Sequence, residues 1–295
     1  MRLAILGTGA LARYYAYQLR SAQPIVVGRA LSTYQVRGDG FESTVTPRFL
    51  PWTHNPGPID VVLILVKWPA MPLVREWLAR YGGNALVISL MNGMGQEDIF
   101  ASVTNPDRLA MGVTTAACTR IDTPEPAVIV RHVGEEVLPI TGHAAEGSLK
   151  EMTLARNLGW RWLPPAQLQS MRWRKLLFNS VINPLSALAN CVNRELPALP
   201  IWQLASPLLA EGLQVARAAG IPLADHRELL AEAAALAQTT GDNLSSMLQD
   251  VRAGRPTEIL AINGYIVRMG RQNGLDTPVQ HALVRLIESI TGQSP

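Results

Sequence analysis

The sequence predicts an α/β fold: a mainly parallel sheet covered on both faces, followed by an all-helical region. Three observations point to it. Short apolar runs (Leu3 to Leu6, Ile25 to Val27, Asp60 to Val66, Ala85 to Leu90) alternate with helical patterns in the first half, and strands buried on both faces read as continuous apolar stretches. From about Pro164 such runs vanish and a 3.6-residue periodicity continues to the end. Leu163-Pro164-Pro165 is a short, stiff joint between the two regimes, so the expected domains are 1–163 and 164–295.

The elements follow in order. Leu3 to Leu6 is a buried strand that runs into Gly7-Thr8-Gly9-Ala10-Leu11-Ala12 and a helical pattern through Leu19. Pro69 to Tyr81 reads as a helix between the third and fourth apolar strands. Arg108 to Thr119, Ala127 to Val133 and Val137 to Thr141 are consecutive strand patterns without intervening helices, which predicts an antiparallel extension and a mixed sheet. In the helical half, Ser206-Pro207 and Thr277-Pro278 each set a capping residue before a proline, and Gly220 and Gly274 end helices. Ile259, Ile262, Ile266 and Met269 form one apolar helical stripe.

Composition excludes several classes of function. A chain of 295 residues needs no staples, and Cys118 and Cys191 lie far apart, matching no metal-ligand spacing, so they read as reduced thiols. The five histidines are scattered with no pair at ligand spacing, so no metal site is expected. The net charge of +3 comes without a dense basic run, which argues against nucleic acid and suits anionic small molecules. Val61 to Val66 is far too short to span a bilayer, and Gly7 and Gly9 interrupt the apolar start, so a cytoplasmic protein is expected.

Gly7-x-Gly9-x-x-Ala12, directly after a strand and at a helix start, fits the dinucleotide fingerprint: small residues make the turn tight and let a pyrophosphate approach backbone N–H groups. The plain alternative is a tight turn without ligand. Gly28-Arg29 ends the second strand where NAD enzymes tend to place a carboxylate. Arg29 could instead pair with the extra phosphate of NADP, or be a solubilising surface charge. Lys67 and Asn92 end two further strands on the side where ligands of such sheets gather; a surface charge and an ordinary Asn-Gly turn are the alternatives.

In the second half, Lys175, Asn179 and Asn183 are spaced four apart, so one amine and two carboxamides share a helix stripe opposite Trp173, Leu176, Leu177, Ser180, Val181 and Pro184. Asn is a poor interior helix residue; the stripe is a site or a wet face with two stray Asn. Asp242 to Asp250 reads as a helix start whose polar residues, Asn243, Ser245 and Ser246 among them, either cap it or receive a carboxylate. Glu258 follows Pro256 in what reads as the first turn of the next helix, where dipole compensation alone explains it. Were Lys175 and Glu258 to converge, the carboxylate would hold the ammonium and the ammonium would protonate an oxygen that gains charge as hydride reaches carbon. Burial would lower the lysine pKa, and the carboxylate would act the other way.

Gly7-x-Gly9-x-x-Ala12, Lys67, Asn92-Gly93-Met94-Gly95, the block from Lys175 through Asn179 and Asn183 to Ala187, Ser245-Ser246-Met247-Leu248-Gln249-Asp250, and Arg255-x-Thr257-Glu258-Ile259-x-x-Ile262-Asn263-Gly264 together resemble the ketopantoate reductase (2-dehydropantoate 2-reductase) family nearly end to end. The resemblance implies a Rossmann-type dinucleotide-binding domain, an all-helical C-terminal domain, and NADPH-dependent reduction of 2-dehydropantoate to (R)-pantoate, toward pantothenate, in a cleft between them. It further implies that Lys175 is the proton donor. Asn92, Asn179, Asn183, Asn193, Asn243, Leu244, Ser245 and Ser246 would lie around the substrate. Gly7 to Ala12, Arg29, Lys67 and Asn92 would lie around the cofactor, with backbone near Cys118 touching it and Glu258 serving as a hydroxyl partner. The implied partner is a small 2-oxo acid, with neither nucleic acid nor membrane, on a monomer or homodimer. Three departures from the family pattern stand out: Glu135-Glu136 after His132-Val133-Gly134, the loop Ala116-Ala117-Cys118 with no His, and the large Arg194-Glu195 after Asn193. A reductase of another 2-oxo acid and a noncatalytic NADP-binding sensor are the other readings.

Overall fold

The computed structural model describes residues 1–38, 40–121, 126–132, 138–142 and 159–292. They form two compact units: residues 1–91 with 96–168, and residues 92–95 with 169–295.

The first unit is built on an eight-stranded sheet in the order β12-β11-β8-β7-β6-β1-β2-β5. The strands are β1 (Leu3–Leu6), β2 (Ile25–Gly28), β5 (Arg48–Pro51), β6 (Val61–Ile64), β7 (Leu86–Ser89), β8 (Leu109–Gly112), β11 (Leu138–Gly142) and β12 (Trp160–Trp162). From β5 to β8 neighbours are parallel, and β11 runs antiparallel to β8. The sheet is therefore mixed, as expected. β1, β2, β6, β7 and β8 are buried at every residue, which explains why they read as unbroken apolar runs. Strand order reverses at β1: the chain moves outward through β2 to β5, then returns to pair β6 against the other side of β1. Ligands of open α/β sheets bind at the carboxyl ends beside such a reversal.

A second sheet, in the order β4-β3-β10-β9, comprises β3 (Tyr34–Gly38), β4 (Phe41–Val45), β9 (Ala117–Ile121) and β10 (Ala127–His132). It packs over α1 (Ala10–Gln18), whose Ala12, Tyr14, Tyr15 and Ala16 share one core with Leu3 and Ile5 beneath and Tyr34, Val36 and Val128 above. The Tyr34 hydroxyl donates to Arg13 O at 2.8 Å, joining the layers. The expected single strand over Arg108 to Thr119 is thus two strands, β8 and β9, in different sheets. The helix expected over Pro69 to Tyr81 is α2 (Met71–Trp77), entered by a 3-10 turn over Trp68–Ala70 and left by a π turn over Leu78–Gly82. Val133, Gly134, Glu135, Glu136 and Val137 lie outside the described residues.

The second unit is helical. Its longest element is α4 (Pro165–Ala189), which follows α3 (Glu97–Ala101) of the first unit in the numbering used here. After it come α5 (Ala205–Ala218), α6 (His226–Thr239), α7 (Ser246–Arg252), α8 (Asn263–Gln272) and α9 (Pro278–Thr291). Pro184 lies inside α4 and has no N–H for the carbonyl of Ser180 four residues back. Asn263, fully buried, supplies the missing donor: its Nδ2 lies 2.9 Å from Ser180 O and 2.8 Å from Gln280 Oε1. Three start signals need correction. Ser206 is not a cap, because a 3-10 turn over Pro200–Leu204 feeds straight into α5. Thr277 precedes α9 without a side-chain cap bond; the carboxylate of Glu211 takes the N–H groups of Val279 and Gln280 instead, both at 2.9 Å. The stripe from Ile259 to Met269 is not one helix, since α8 starts only at Asn263, and Glu258 sits in the bend before it.

Candidate active site

In the first unit, the turn after β1 is shaped by backbone alone. Gly7 has φ +125°, and a Cβ there would meet Leu65 O at 2.5 Å, so the loop leaving β1 lies against the loop leaving β6 with no room for a side chain. Gly9 is the N-cap of α1 with no side-chain cap bond, and a Cβ on it would meet nothing within 4 Å. Open space in front of uncapped helix N–H groups, at the strand-order reversal, is what an anionic phosphate needs. These residues fit a dinucleotide. Thr8, Ala10, Leu11 and Ala12 continue the turn into the helix. Behind it, buried Arg13 donates from Nε to Thr8 O at 3.1 Å and stacks on Tyr34, 5.2 Å from the ring centroid. Sequence reasoning passed over Arg13; a lone cation among Ala12, Tyr14, Tyr15 and Ala16 was the available signal.

Arg29 is exposed one residue beyond β2, and Lys67 is exposed three residues beyond β6, both at carboxyl ends of strands. Cys118 lies on β9, paired with Val130 of β10, and burial pushes its thiol up to about 12, which leaves it an unreactive side chain.

In the second unit, the stripe on α4 is not a wet face. Asn183 is buried, Lys175 and Asn179 are half-buried, and the opposing Trp173, Leu176, Leu177, Ser180, Val181 and Pro184 pack in the core of the unit. Glu258, 5% exposed, reaches the same place as Lys175. Burial lowers the lysine amine from its ordinary value to about 8, and the Glu258 carboxylate opposes part of that fall. Asn92 donates from Nδ2 to Glu258 Oε2 at 3.5 Å. Its approach depends on Gly93, which has φ +75° and whose Cβ would meet Ala261 O at 2.5 Å; next to it, Met94 N–H donates to Ala261 O at 3.0 Å. Lys175, Asn179, Asn183, Glu258 and Asn92 therefore belong to one constellation. An amine poised near neutral pH beside a buried carboxylate is equipped to give a proton and be oriented while doing so.

The segment Asn243 to Ser246 divides its tasks. Ser245 is the N-cap of α7: its Oγ accepts from Leu248 N–H at 3.1 Å and from Ser186 Oγ at 2.7 Å, so its side chain is structural. Leu244 O accepts from Gln249 Nε2 and Asn243 O from Asn193 N–H, while Ser246 is half-buried at the first helical position. Asn193 is buried beside them, and the departure Arg194 is exposed and paired with Asp242. Among the described residues, no group of three or more His, Cys, Asp or Glu could hold a metal ion, and no helix is long and apolar enough to cross a membrane.

An α/β unit with an open glycine turn at its strand-order reversal, and a helical unit with a half-buried lysine, a buried carboxylate and carboxamides, have the architecture of a dinucleotide-dependent oxidoreductase. Comparison with known proteins is specific. The family described as "Ketopantoate reductase PanE/ApbA" matches residues 3–141, and its companion "Ketopantoate reductase PanE/ApbA C terminal" matches 167–291. The chain belongs to the ketopantoate reductase family of oxidoreductases. It is 28% identical to the 2-dehydropantoate 2-reductase of Archaeoglobus fulgidus, over 98% of this chain and 97% of that one. It is 29% identical to the enzyme of the same name from Vibrio cholerae, over 98% of each. In fold it resembles D-mandelate dehydrogenase solved with NADH and anilino(oxo)acetate, with a TM-score of 0.87 at 20% identity over 99% of both chains. It also resembles a dimeric ketopantoate reductase from Staphylococcus aureus, with a TM-score of 0.81 at 23% identity over 99% of both.

Proposed function

We propose that the protein reduces the ketone of 2-dehydropantoate to (R)-pantoate with NADPH, serving pantothenate formation in the cytoplasm as a monomer or homodimer, with residues 1–163 binding cofactor and 164–295 binding substrate. The observation that carries the reading is half-buried Lys175, its amine lowered to about 8 and faced by buried Glu258, on one helix stripe with Asn179 and Asn183. Family membership and the names borne by the relatives across nearly the whole chain support the substrate.

The turn Gly7 to Ala12 would hold the pyrophosphate by backbone N–H groups, Arg29 would pair with the 2′-phosphate, Lys67 and Asn92 would serve the nicotinamide ribose, and backbone near Cys118 would complete the cofactor contact. When bound, the reduced nicotinamide supplies hydride to the ketone carbon. Lys175 donates a proton to the carbonyl oxygen as charge develops on it, and Glu258 orients the ammonium. Asn179, Asn183, Asn193, Asn243 and Ser246 fix the acid. Leu244 and Ser245 shape that segment from behind. A second reading is reduction of a different 2-oxo acid, raised by Arg194 beside Asn193 where a small residue is expected; its side chain is exposed and paired with Asp242.

The test is NADPH oxidation by the purified protein on adding 2-dehydropantoate and a panel of other 2-oxo acids. The expected result is the highest kcat/KM with 2-dehydropantoate. A higher value with another acid favours the second reading. NADPH binding without turnover across the panel overturns catalysis and leaves a cofactor sensor.

A further inference from the structure

The buried carboxamide of Asn193 is held in one orientation by a residue with no assigned role. Asn193 opens the 3-10 segment Asn193–Ala198 and is 7% exposed. Its N–H donates to Asn243 O and that of Arg194 donates to Gly241 O, both at 3.1 Å. The Arg194–Asp242 ion pair fastens the same two pieces of chain. Within this clasp Asn193 Nδ2 donates to Thr240 Oγ1 at 2.9 Å, while Thr240 Oγ1 donates to Leu236 O, one turn back in α6, at 2.7 Å. A hydroxyl has a single proton, and with that proton committed to Leu236, Thr240 can only accept from Asn193. The amide is therefore fixed with its amine edge toward Thr240, and among the described residues its buried Oδ1 meets no hydrogen-bond donor. Such an oxygen, like those of Asn263 and Gln96, calls for an explanation, and a donor carried by a bound ligand is one.

We propose that Thr240 is a positioning residue: it sets Asn193 to accept, through Oδ1, the hydrogen of a substrate hydroxyl, and so favours 2-oxo acids carrying a hydroxyl over those whose side chain is only alkyl or aryl. The inference rests on the reading of Asn193 as a substrate contact. Sites built to hydrogen-bond a hydroxyl discriminate strongly against analogues that lack it, because the buried partner is then left unpaired.

The experiment compares two acids on the full-length protein with NADPH: 2-dehydropantoate, and 3,3-dimethyl-2-oxobutanoate, in which methyl replaces the terminal hydroxymethyl group. Thr240→Val keeps the shape and removes the acceptor, freeing the Asn193 amide to turn. It should raise KM for the hydroxylated acid by about tenfold with kcat nearly unchanged, and leave the deoxy acid within about twofold. Thr240→Ser, which keeps the hydroxyl, should restore the hydroxylated acid. Equal losses on both acids, whether or not the melting temperature falls, would show a merely structural role and overturn the proposal. So would unaltered KM in Thr240→Val when the wild type is active. A wild type that reduces neither acid defeats the function reading itself, and this inference with it.

Discussion

The glycine turn of the first unit and the lysine stripe of the second would serve the proposed function by opposite means. At Gly7 and Gly9 what matters is missing side-chain atoms: the loop after β6 lies where a Cβ of Gly7 would be, and space is open before Gly9. At Lys175 and Glu258 what matters is polar atoms retained where burial is costly, an amine lowered to about 8 and a carboxylate 5% exposed. The lesson is that the first region should fail when atoms are added and the second when they are removed.

That contrast can be broken most severely at Lys175. Lys175→Ala should lower kcat by about 10²- to 10⁴-fold, the usual range for a lost general acid, with NADPH affinity unchanged by fluorescence titration. Unaltered turnover would remove Lys175 from the chemistry. Next in size, Arg29→Asp should reduce the NADPH-to-NADH preference by about 10- to 100-fold, since a charge-assisted contact is replaced by repulsion; equal use of NADPH by the variant would show that Arg29 is only a surface charge. Gly7→Ala puts a methyl against Leu65 O at a φ that L residues rarely adopt, and a loss of roughly 1–3 kcal/mol is expected in a denaturant titration, together with weaker NADPH binding. Smallest in its effect on catalysis, Asn263→Leu strips Ser180 O of its donor beside Pro184. It should destabilise the protein by about 1–3 kcal/mol, measured by chemical unfolding, while kcat changes little.

The parallel core of the sheet was legible because β1, β2, β6 and β7 are covered on both faces and leave uninterrupted apolar runs. β4, by contrast, alternates half-buried and exposed residues, and β12 has only three residues, so neither leaves such a run. The second sheet escaped notice because it joins two local pairs, β3 with β4 and β9 with β10, through one remote contact: β3 pairs with β10, and nothing in Tyr34–Gly38 announces that register. In the helical unit, the spacing of Lys175, Asn179 and Asn183 was readable, since a helix stripe is a local property. The place of Glu258 was not: Pro256 suggested a helix start, whereas the chain makes a bend there and the helix begins at Asn263. The side chain of Ser245 reads equally as cap or ligand, and only the bonds to Leu248 and Ser186 decide for the cap. Thr240 carries no pattern at all; its meaning lies in which atom its proton serves.

The central claim is that Lys175 gives its proton near neutral pH because burial weakens its hold on it. The pH dependence of kcat/KM for NADPH-driven reduction tests this most directly, as it reports the free enzyme's essential acid. A protonated donor is required, so activity should be full at lower pH and fall as pH rises through about 8, and the reverse oxidation, which needs the neutral amine, should rise through the same value. Because Glu258 raises the lysine pKa, Glu258→Gln should move that limb to lower pH. A reductive profile that stays flat until the ordinary lysine value of 10.5, or a limb that does not move in Glu258→Gln, would contradict the account.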